Sequence, residues 1–324
     1  MKALLIAKPW KGGLGRYFFT ALQTMFPNQV EWIATRPQSL AERIAFRRDP
    51  KAWWQALLHR IENTPCEAAF FISHRKEFRA LKPKPHYVLY IVDDVKLTPA
   101  DAGTFSKIYL SDPGYEAELR AVCAPVQFGG VLPFAHCKNL HRPLSLAGAT
   151  QKAEPRDVGH DLCFIGNRDG KRDPLLERLF KEGLRPLIIG NYFMKSPLFW
   201  RYPLHFRPGV PNAGMAAIYA RHKIALNIHA KVVREGTNMR SFECAGFGIP
   251  QIVEYRPGIE SYFEPNKEIL LYRDGDEMVA QIRRLLRDPA GAKAMAEAAR
   301  RRALAEHTYE HRLKTALGHL LKSG

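Results

Sequence analysis

Short apolar runs alternate with longer amphipathic stretches along most of the chain. This is the pattern left by strands buried on both faces of a parallel sheet with helices packed over them. Residues 2–7 (Lys-Ala-Leu-Leu-Ile-Ala) predict a first buried strand. Gly12-Gly13-Leu14-Gly15 follows, then a helix over 16–25 with apolar positions at Phe18, Phe19, Leu22 and Phe26. Strand, glycine loop and helix at the start of a chain open a doubly wound α/β domain. Further strands are expected at 28–35, 66–73, 86–92, 107–112 and 126–134, and helices at 51–61 and 115–122. Trp53, Trp54, Leu57, Leu58 and Ile61 share the inner side of the helix at 51–61, which makes the tryptophans core residues first.

From His141 to His160 the pattern breaks, and Pro143, Gly148, Lys152, Pro155 and Gly159 mark a linker. Alternation then resumes. Strands are expected at 161–166, 186–190, 223–229, 251–253 and 268–272, and helices at 174–182, 239–247, 277–282, 290–305 and 307–321. A chain of 324 residues is long for one core and comfortable for two. The expected organisation is one α/β domain over 1–140, a linker over 141–160, a second α/β domain over 161–305 and a terminal segment over 306–324.

The most informative stretch is Arg234-Glu235-Gly236-Thr237-Asn238-Met239-Arg240-Ser241-Phe242-Glu243-Cys244-Ala245-Gly246-Phe247-Gly248-Ile249-Pro250. It joins the strand expected at 223–229 to helical spacing from Met239 to Phe247, with Gly248 and Pro250 as stop signals. A loop opening onto a helix N-terminus offers unpaired backbone N–H groups and the positive end of the helix dipole, which suits a phosphate. Gly236 lets the backbone approach a ligand, and Arg234 and Arg240 add cations. Glu235 and Glu243 stand about two helical turns apart on roughly one side. Acceptors so placed match a ligand with hydroxyls on either side of a diphosphate, the layout of a nucleotide sugar.

The Glu-x7-Glu pair, with Asn-Met-Arg-x-Phe-Glu and Gly-x-Pro, resembles the C-terminal half of GT-B glycosyltransferases. More narrowly, it resembles the glycosyltransferase-like family named after a spore-maturation protein. The resemblance runs from Asp161-Leu162-Cys163-Phe164-Ile165-Gly166-Asn167 to His307-Thr308-Tyr309-Glu310-His311-Arg312. It implies GT-B architecture: two Rossmann-like domains facing across a cleft, the donor held by the second, the terminal helix crossing back to the first. It also implies that Glu243 accepts from the ribose hydroxyls and Glu235 from the transferred sugar. Gly236, the Asn238 and Met239 amides, Arg168 and Arg172 would hold the diphosphate and stabilise it as a leaving group. Asn191, Tyr192 and Val210 fall where the base is expected. Gly13 and Gly15 would face the donor phosphates from the first domain, and a tight βα turn is their competing explanation. Proteins of this kind with both glutamates mostly act with retention. The departing phosphate takes the acceptor's proton, so no protein nucleophile is required.

Two candidates lie on the acceptor side. His74 follows the strand at 66–73, and Asp93-Asp94 closes the strand at 86–92. Both are at carboxyl ends, where ligands sit in open α/β sheets. His74 is thus well placed for a functional role, and the resemblance implies that an acidic residue here, Asp94, orients or deprotonates an acceptor hydroxyl; an ordinary exposed histidine and a helix cap compete with them. Asp274-Gly275-Asp276 matches an acid-x-acid metal motif, yet it directly precedes a helix, and capping explains it better. No metal and no cofactor is expected, the nucleotide-diphosphate sugar being a substrate.

Charge widens the choice of acceptor. The 49 Lys and Arg against 32 Asp and Glu leave +17, a field that attracts nucleotides, nucleic acid or an anionic surface. No apolar run reaches the roughly 20 residues that span a bilayer, and residues 1–6 are too short for a signal segment. Cys66, Cys123, Cys137, Cys163 and Cys244 are scattered, which argues for reduced core thiols and a cytoplasmic location. The acceptor stays open among a small molecule, a glycan, a protein, a lipid-linked sugar and nucleic acid. Three alternatives stand beside the main expectation: a transferase acting on DNA or RNA, a peripheral enzyme with a lipid-linked acceptor, and a non-catalytic nucleotide-binding protein. A dehydrogenase is disfavoured, because Phe18 stands where the dinucleotide fingerprint needs its third glycine.

Overall fold

The computed structural model describes residues 1–9, 13–144 and 160–321, and among them it forms two six-stranded sheets. The first contains β1 (Ala3–Ala7), β2 (Val30–Ala34), β3 (Ala68–Ile72), β4 (Lys84–Ile91), β5 (Phe105–Leu110) and β6 (Phe128–Val131), in the order β2-β1-β3-β4-β5-β6. The second contains β7 (Leu162–Ile165), β8 (Leu187–Ile189), β9 (Phe206–Arg207), β10 (Ile224–Asn227), β11 (Gln251–Glu254) and β12 (Leu270–Tyr272), in the order β12-β11-β10-β7-β8-β9. Every pairing in both sheets is parallel. The chain divides into two compact units, Met1–Pro133 with Tyr309–Gly324, and Phe134–Thr308. Each is a parallel-sheet α/β domain, the expected fold class. Of the linker expected at 141–160, residues 145–159 lie outside the described part of the chain, as does Gly12.

The strands form where the sequence is apolar on both faces. β1 and β3 are buried at every position, and Leu5 of β1 lies between Trp32 and Phe70 in register. Parallel neighbours need a crossover, and the amphipathic stretches supply it as helices. The helix Leu14–Met25 lies between the first sheet and the terminal helix Tyr309–Leu321. Phe18 is fully buried there, with ring centroids 4.9 Å from Phe70, 5.4 Å from Tyr90 and 4.7 Å from Tyr309. Arg312 of the terminal helix donates to the Pro133 carbonyl at 2.8 Å. The residue that breaks the dinucleotide fingerprint is thus a core anchor.

Gly15 has a packing reason of its own. A Cβ there would lie 2.8 Å from the Lys8 carbonyl oxygen and 3.0 Å from the Trp32 ring. Only glycine lets this helix sit so close to β1, so the tight-turn explanation accounts for Gly15 without a phosphate. Some elements carry no readable periodicity. The helix Leu40–Arg48 buries none of its residues, and a capping box holds it. Ser39 Oγ accepts from the Glu42 amide at 3.1 Å, and the Glu42 carboxylate accepts from the Ser39 amide at 3.3 Å. The two-residue β9 and the short helices Pro197–Arg201 and Asn212–Tyr219 are also silent in the pattern. No described helix is long and apolar enough to cross a membrane.

Strand order reverses next to the first strand of each unit, between β1 and β3 in one sheet and between β7 and β10 in the other. Loops leaving the two strands at such a point part in opposite directions and open a crevice beyond the carboxyl ends. For the core itself, Phe18→Ala is expected to destabilise the protein by about 3–5 kcal/mol, read as a lower urea midpoint by circular dichroism.

Candidate active site

In the second unit the crevice lies beyond β7 and β10. β10 ends in Asn227, a buried amide closing an otherwise apolar strand. Its side chain exchanges two hydrogen bonds with Asn238: Asn227 Nδ2 donates to Asn238 Oδ1 at 3.0 Å, and Asn238 Nδ2 donates to Asn227 Oδ1 at 2.9 Å. Asn227 Nδ2 also donates to Ser241 Oγ at 2.9 Å, and Tyr272 OH donates to the Asn227 carbonyl at 3.1 Å. Asn238 is at the same time the N-cap of the helix Met239–Phe247, its Oδ1 accepting from the Arg240 amide at 2.9 Å. Strand end and helix start are therefore fixed to each other. The connecting loop turns at Gly236, where two things demand glycine: φ is 65°, and a Cβ would lie 2.9 Å from the Tyr262 ring. Glu235 sits half-buried on that loop, with Met239 at the first helical position.

The loop after β7 brings the cations, but most of them are held. Arg168 donates through Nε and Nη2 to Asp173 Oδ2 at 3.0 and 2.7 Å. Arg172 is buried over the Phe164 ring; its Nε donates to the Ile228 carbonyl at 3.0 Å and its Nη1 to the Asn167 carbonyl. Burial lowers its pKa, and Arg240 nearby adds to the effect. Arg172 thus ties the loop after β7 to the end of β10, with Nε and Nη1 both donating to backbone carbonyls. Lys171 pairs with Glu254 Oε1 at 2.7 Å, as does Arg256 at 2.9 Å, while Glu254 Oε2 accepts from the His229 amide at 2.9 Å. Glu254 closes β11 and joins three loops. Sequence reasoning passed over Glu254 and Asn227, although a polar residue ending an apolar run is a readable signal.

Glu243, the expected ribose acceptor, is enclosed. Its carboxylate is fully buried and paired with Arg240, whose Nε donates to the Ile165 carbonyl at 3.1 Å. A buried carboxylate needs such a partner, and the pairing places the partly exposed Arg240 guanidinium over the end of β7. His141 Nε2 stands 3.9 Å from Glu243 Oε1, too far for a hydrogen bond. Burial, then the Arg240 charge, push the His141 pKa down to about 3, so the contact is with a neutral imidazole.

On the base side, Gly190 follows β8 and must be glycine, since a Cβ would overlap the Gly166 carbonyl oxygen. Asn191 donates from its backbone at 3.0 Å and its side chain at 3.1 Å to Asn167 Oδ1. Tyr192 adopts a left-handed backbone at φ 69° and exposes its ring, and Val210 is half-buried. Asn191 and Tyr192 thus share the carboxyl edge of the second sheet with Arg168 and the Met239 helix.

In the first unit, Lys8, Ser73, His74, Arg75, Asp93, Asp94 and Lys96 line a cavity of about 240 Å³ at the reversal beside β1 and β3. His74 Nε2 lies 3.6 Å from Asp101 Oδ1. Burial lowers the His74 pKa, with Asp101 opposing the shift. Asp94 pairs with Lys96 at 3.0 Å. Both acceptor-side candidates therefore open on one cavity. Gly13 stands in this unit as N-cap of the helix Leu14–Met25. The Asp274 motif is a cap: its Oδ1 accepts from the Asp276 and Glu277 amides at 2.9 and 2.8 Å.

Buried neutral imidazoles leave a pH signature. His229 is held well below its ordinary pKa by burial, then by Arg256, Lys171 and Arg172. A histidine with a depressed folded pKa stays neutral in the fold but takes a proton near pH 6.5 when unfolded. Its contribution is complete above pH 6.5 and is lost as pH falls toward the folded value. His141 and His229 should each lower stability by about 1.4 kcal/mol at pH 5.5. Melting temperature should fall steadily from pH 7 to pH 5; a flat profile would contradict buried neutral histidines.

Residues 171–318 match the family described as glycosyl transferase-like. No curated protein matches the sequence. A sucrose-phosphate synthase from Thermosynechococcus elongatus is 15% identical with a TM-score of 0.69, over 100% of this chain and 99% of that one. HepE from Anabaena, solved in complex with UDP-glucose, is 11% identical with a TM-score of 0.70, over 99% of each chain. WaaG, a glycosyltransferase involved in lipopolysaccharide biosynthesis, is 17% identical with a TM-score of 0.62, over 97% of this chain and 98% of that one. The chain has the fold of GT-B glycosyltransferases, and its residues 171–318 are similar to the glycosyl transferase-like family.

Proposed function

We propose that the protein transfers a sugar from a nucleoside diphosphate sugar to an acceptor hydroxyl, with the donor bound beyond β7, β8 and β10. One observation carries this: a helix N-terminus at the strand-order reversal, with Arg240 fixed beside it and Glu235 on the loop before it. The family match over 171–318 and the UDP and UDP-glucose bound by HepE support it. The narrower likeness to the spore-maturation-protein family belongs to the same proposal.

In this reading the Met239 amide and Arg240 meet the diphosphate, with Arg168 at its edge. Arg240 exchanges Glu243 for the phosphates when the donor binds, and the carboxylate so released accepts from the ribose hydroxyls. Tyr192 stacks on the base beside Asn191 and Val210, and Glu235 accepts from the hydroxyls of the transferred sugar. Transfer forms a bond from the acceptor oxygen to the anomeric carbon and breaks the bond from that carbon to the diphosphate oxygen. The acceptor's proton goes to the departing diphosphate, which gives retention without a protein nucleophile. Cations and amides aimed at the leaving group stabilise the charge that develops there, and in this reading they do so without a metal.

A thermal-shift screen against UDP-, GDP-, ADP- and dTDP-sugars tests the donor. A ligand at a hundred times its dissociation constant adds about 2.7 kcal/mol, so one nucleotide should raise the melting temperature clearly. Arg240→Met should remove that shift. Glu235→Gln should keep affinity for the nucleoside diphosphate while weakening that for the nucleotide sugar at least tenfold. If no nucleotide sugar stabilises the native protein, the proposal fails.

A further inference from the structure

We infer that the first unit's crevice, at the reversal between β1 and β3, takes a small hydroxylated anion bearing a phosphate or a carboxylate. Calling that anion the acceptor rests on the glycosyl-transfer reading; the binding chemistry does not. Lys8 follows β1, Arg36 follows β2 and Arg75 follows β3, so three cations converge on the carboxyl end of one sheet. Lys8 and Arg75 line the cavity directly. None of the three makes an ion pair among the described residues. They act on one another instead: the Lys8 pKa is lowered by partial desolvation in the crevice, then by Arg75 and Arg36, with Asp93 opposing. Arg75 is lowered likewise, by desolvation and then by Arg36, with Glu77 opposing.

Like charges gathered with no carboxylate in ion-pair contact repel one another, and natural sites break such local rules where a ligand supplies the compensation. The backbone makes a similar concession at Ser73, the first residue after β3, which takes φ 64° and donates to the Tyr90 carbonyl at 2.8 Å. That turn carries His74 and Arg75 into the cavity. In the same cavity, Asp93 and Asp94 provide acceptors for hydroxyls, with Lys96 already paired to Asp94. Cations and a pair of carboxylates lining one cavity fit a molecule that carries both an anion and hydroxyls. The cavity's 240 Å³ suits one such unit rather than an oligosaccharide. An uncharged sugar would meet the carboxylates and leave the cations uncompensated.

Calorimetric titration of glucose 6-phosphate, glucuronate and glucose into the native protein, Arg75→Met and Arg240→Met decides the matter. One or both anionic probes should bind the native and Arg240→Met proteins with similar affinity, bind Arg75→Met at least tenfold more weakly, and bind more tightly than glucose. The tighter anionic probe identifies phosphate or carboxylate. Undiminished binding to Arg75→Met, glucose binding as tight as both anions, or no anion binding to the native protein each overturns the inference. Removing one of three repelling cations should leave the melting temperature of unliganded Arg75→Met equal to or above native. A fall of several degrees would make Arg75 structural and would also overturn it. Anion binding in this crevice by a protein that ignores every nucleotide sugar would sink the donor reading alone.

Discussion

The second unit depends on a pair of side-chain amides, one buried and one half-buried. Asn227 and Asn238 satisfy each other across the loop that separates β10 from the helix beginning at Met239. Loss of Asn238 would leave the buried Asn227 amide without that partner, at about 1–3 kcal/mol. Because Asn238 also caps the helix, and Tyr272 holds the Asn227 carbonyl from β12, the interaction fixes a helix N-terminus at the reversal of strand order. Thr237 Oγ1 and Ser241 Oγ, 2.6 Å apart, and Gln251 Nε2, 2.9 Å from the Ser241 carbonyl, extend the same polar layer. This layer fixes the direction of the amides at the helix N-terminus, as the proposed phosphate site requires.

The repeating strand pattern was legible because parallel strands are buried twice and tolerate little but apolar residues. β1, β3, β7 and β11 announce themselves for that reason, as does the helix Met239–Phe247 between its asparagine cap and Gly248. Asp274 was legible as a cap because Asp before a helical period has a local explanation. What stayed hidden depends on partners far away in sequence. The sequence does not show that Arg172 donates to the Ile228 carbonyl, 56 residues on. Glu254 looks like the polar end of a strand until it is seen to gather Lys171, Arg256 and the His229 amide. Glu243 was found as one half of a pair with Glu235, but its closest charge is Arg240 on the same helix.

The two crevices treat their cations differently. In the second unit nearly every cation near the reversal has an assigned partner: Arg168 has Asp173, Lys171 and Arg256 share Glu254, and Arg240 has Glu243. Paired cations of this kind are held in place, which in the proposed reading pre-orients a helix terminus and a guanidinium toward a diphosphate. In the first unit Lys8, Arg36 and Arg75 repel one another, with carboxylates acting on them only at longer range. A set held in place by partners positions a ligand with little change in its own energy. A set under mutual repulsion gains energy directly from an anion that enters.

That contrast gives part of the +17 net charge a location. An excess of cations spread evenly over a surface attracts any polyanion weakly and without selection. Lys8 and Arg75, gathered beyond the carboxyl ends of β1 and β3 in a cavity that also carries Asp93 and Asp94, select for small molecules with both an anion and hydroxyls. The carboxylates are the discriminating part. They disfavour a bare polyanion such as a nucleic acid backbone, whose phosphates would be brought against Asp93 and Asp94. The same two residues that make a sugar hydroxyl welcome therefore argue against the nucleic-acid acceptor that the net charge alone would suggest.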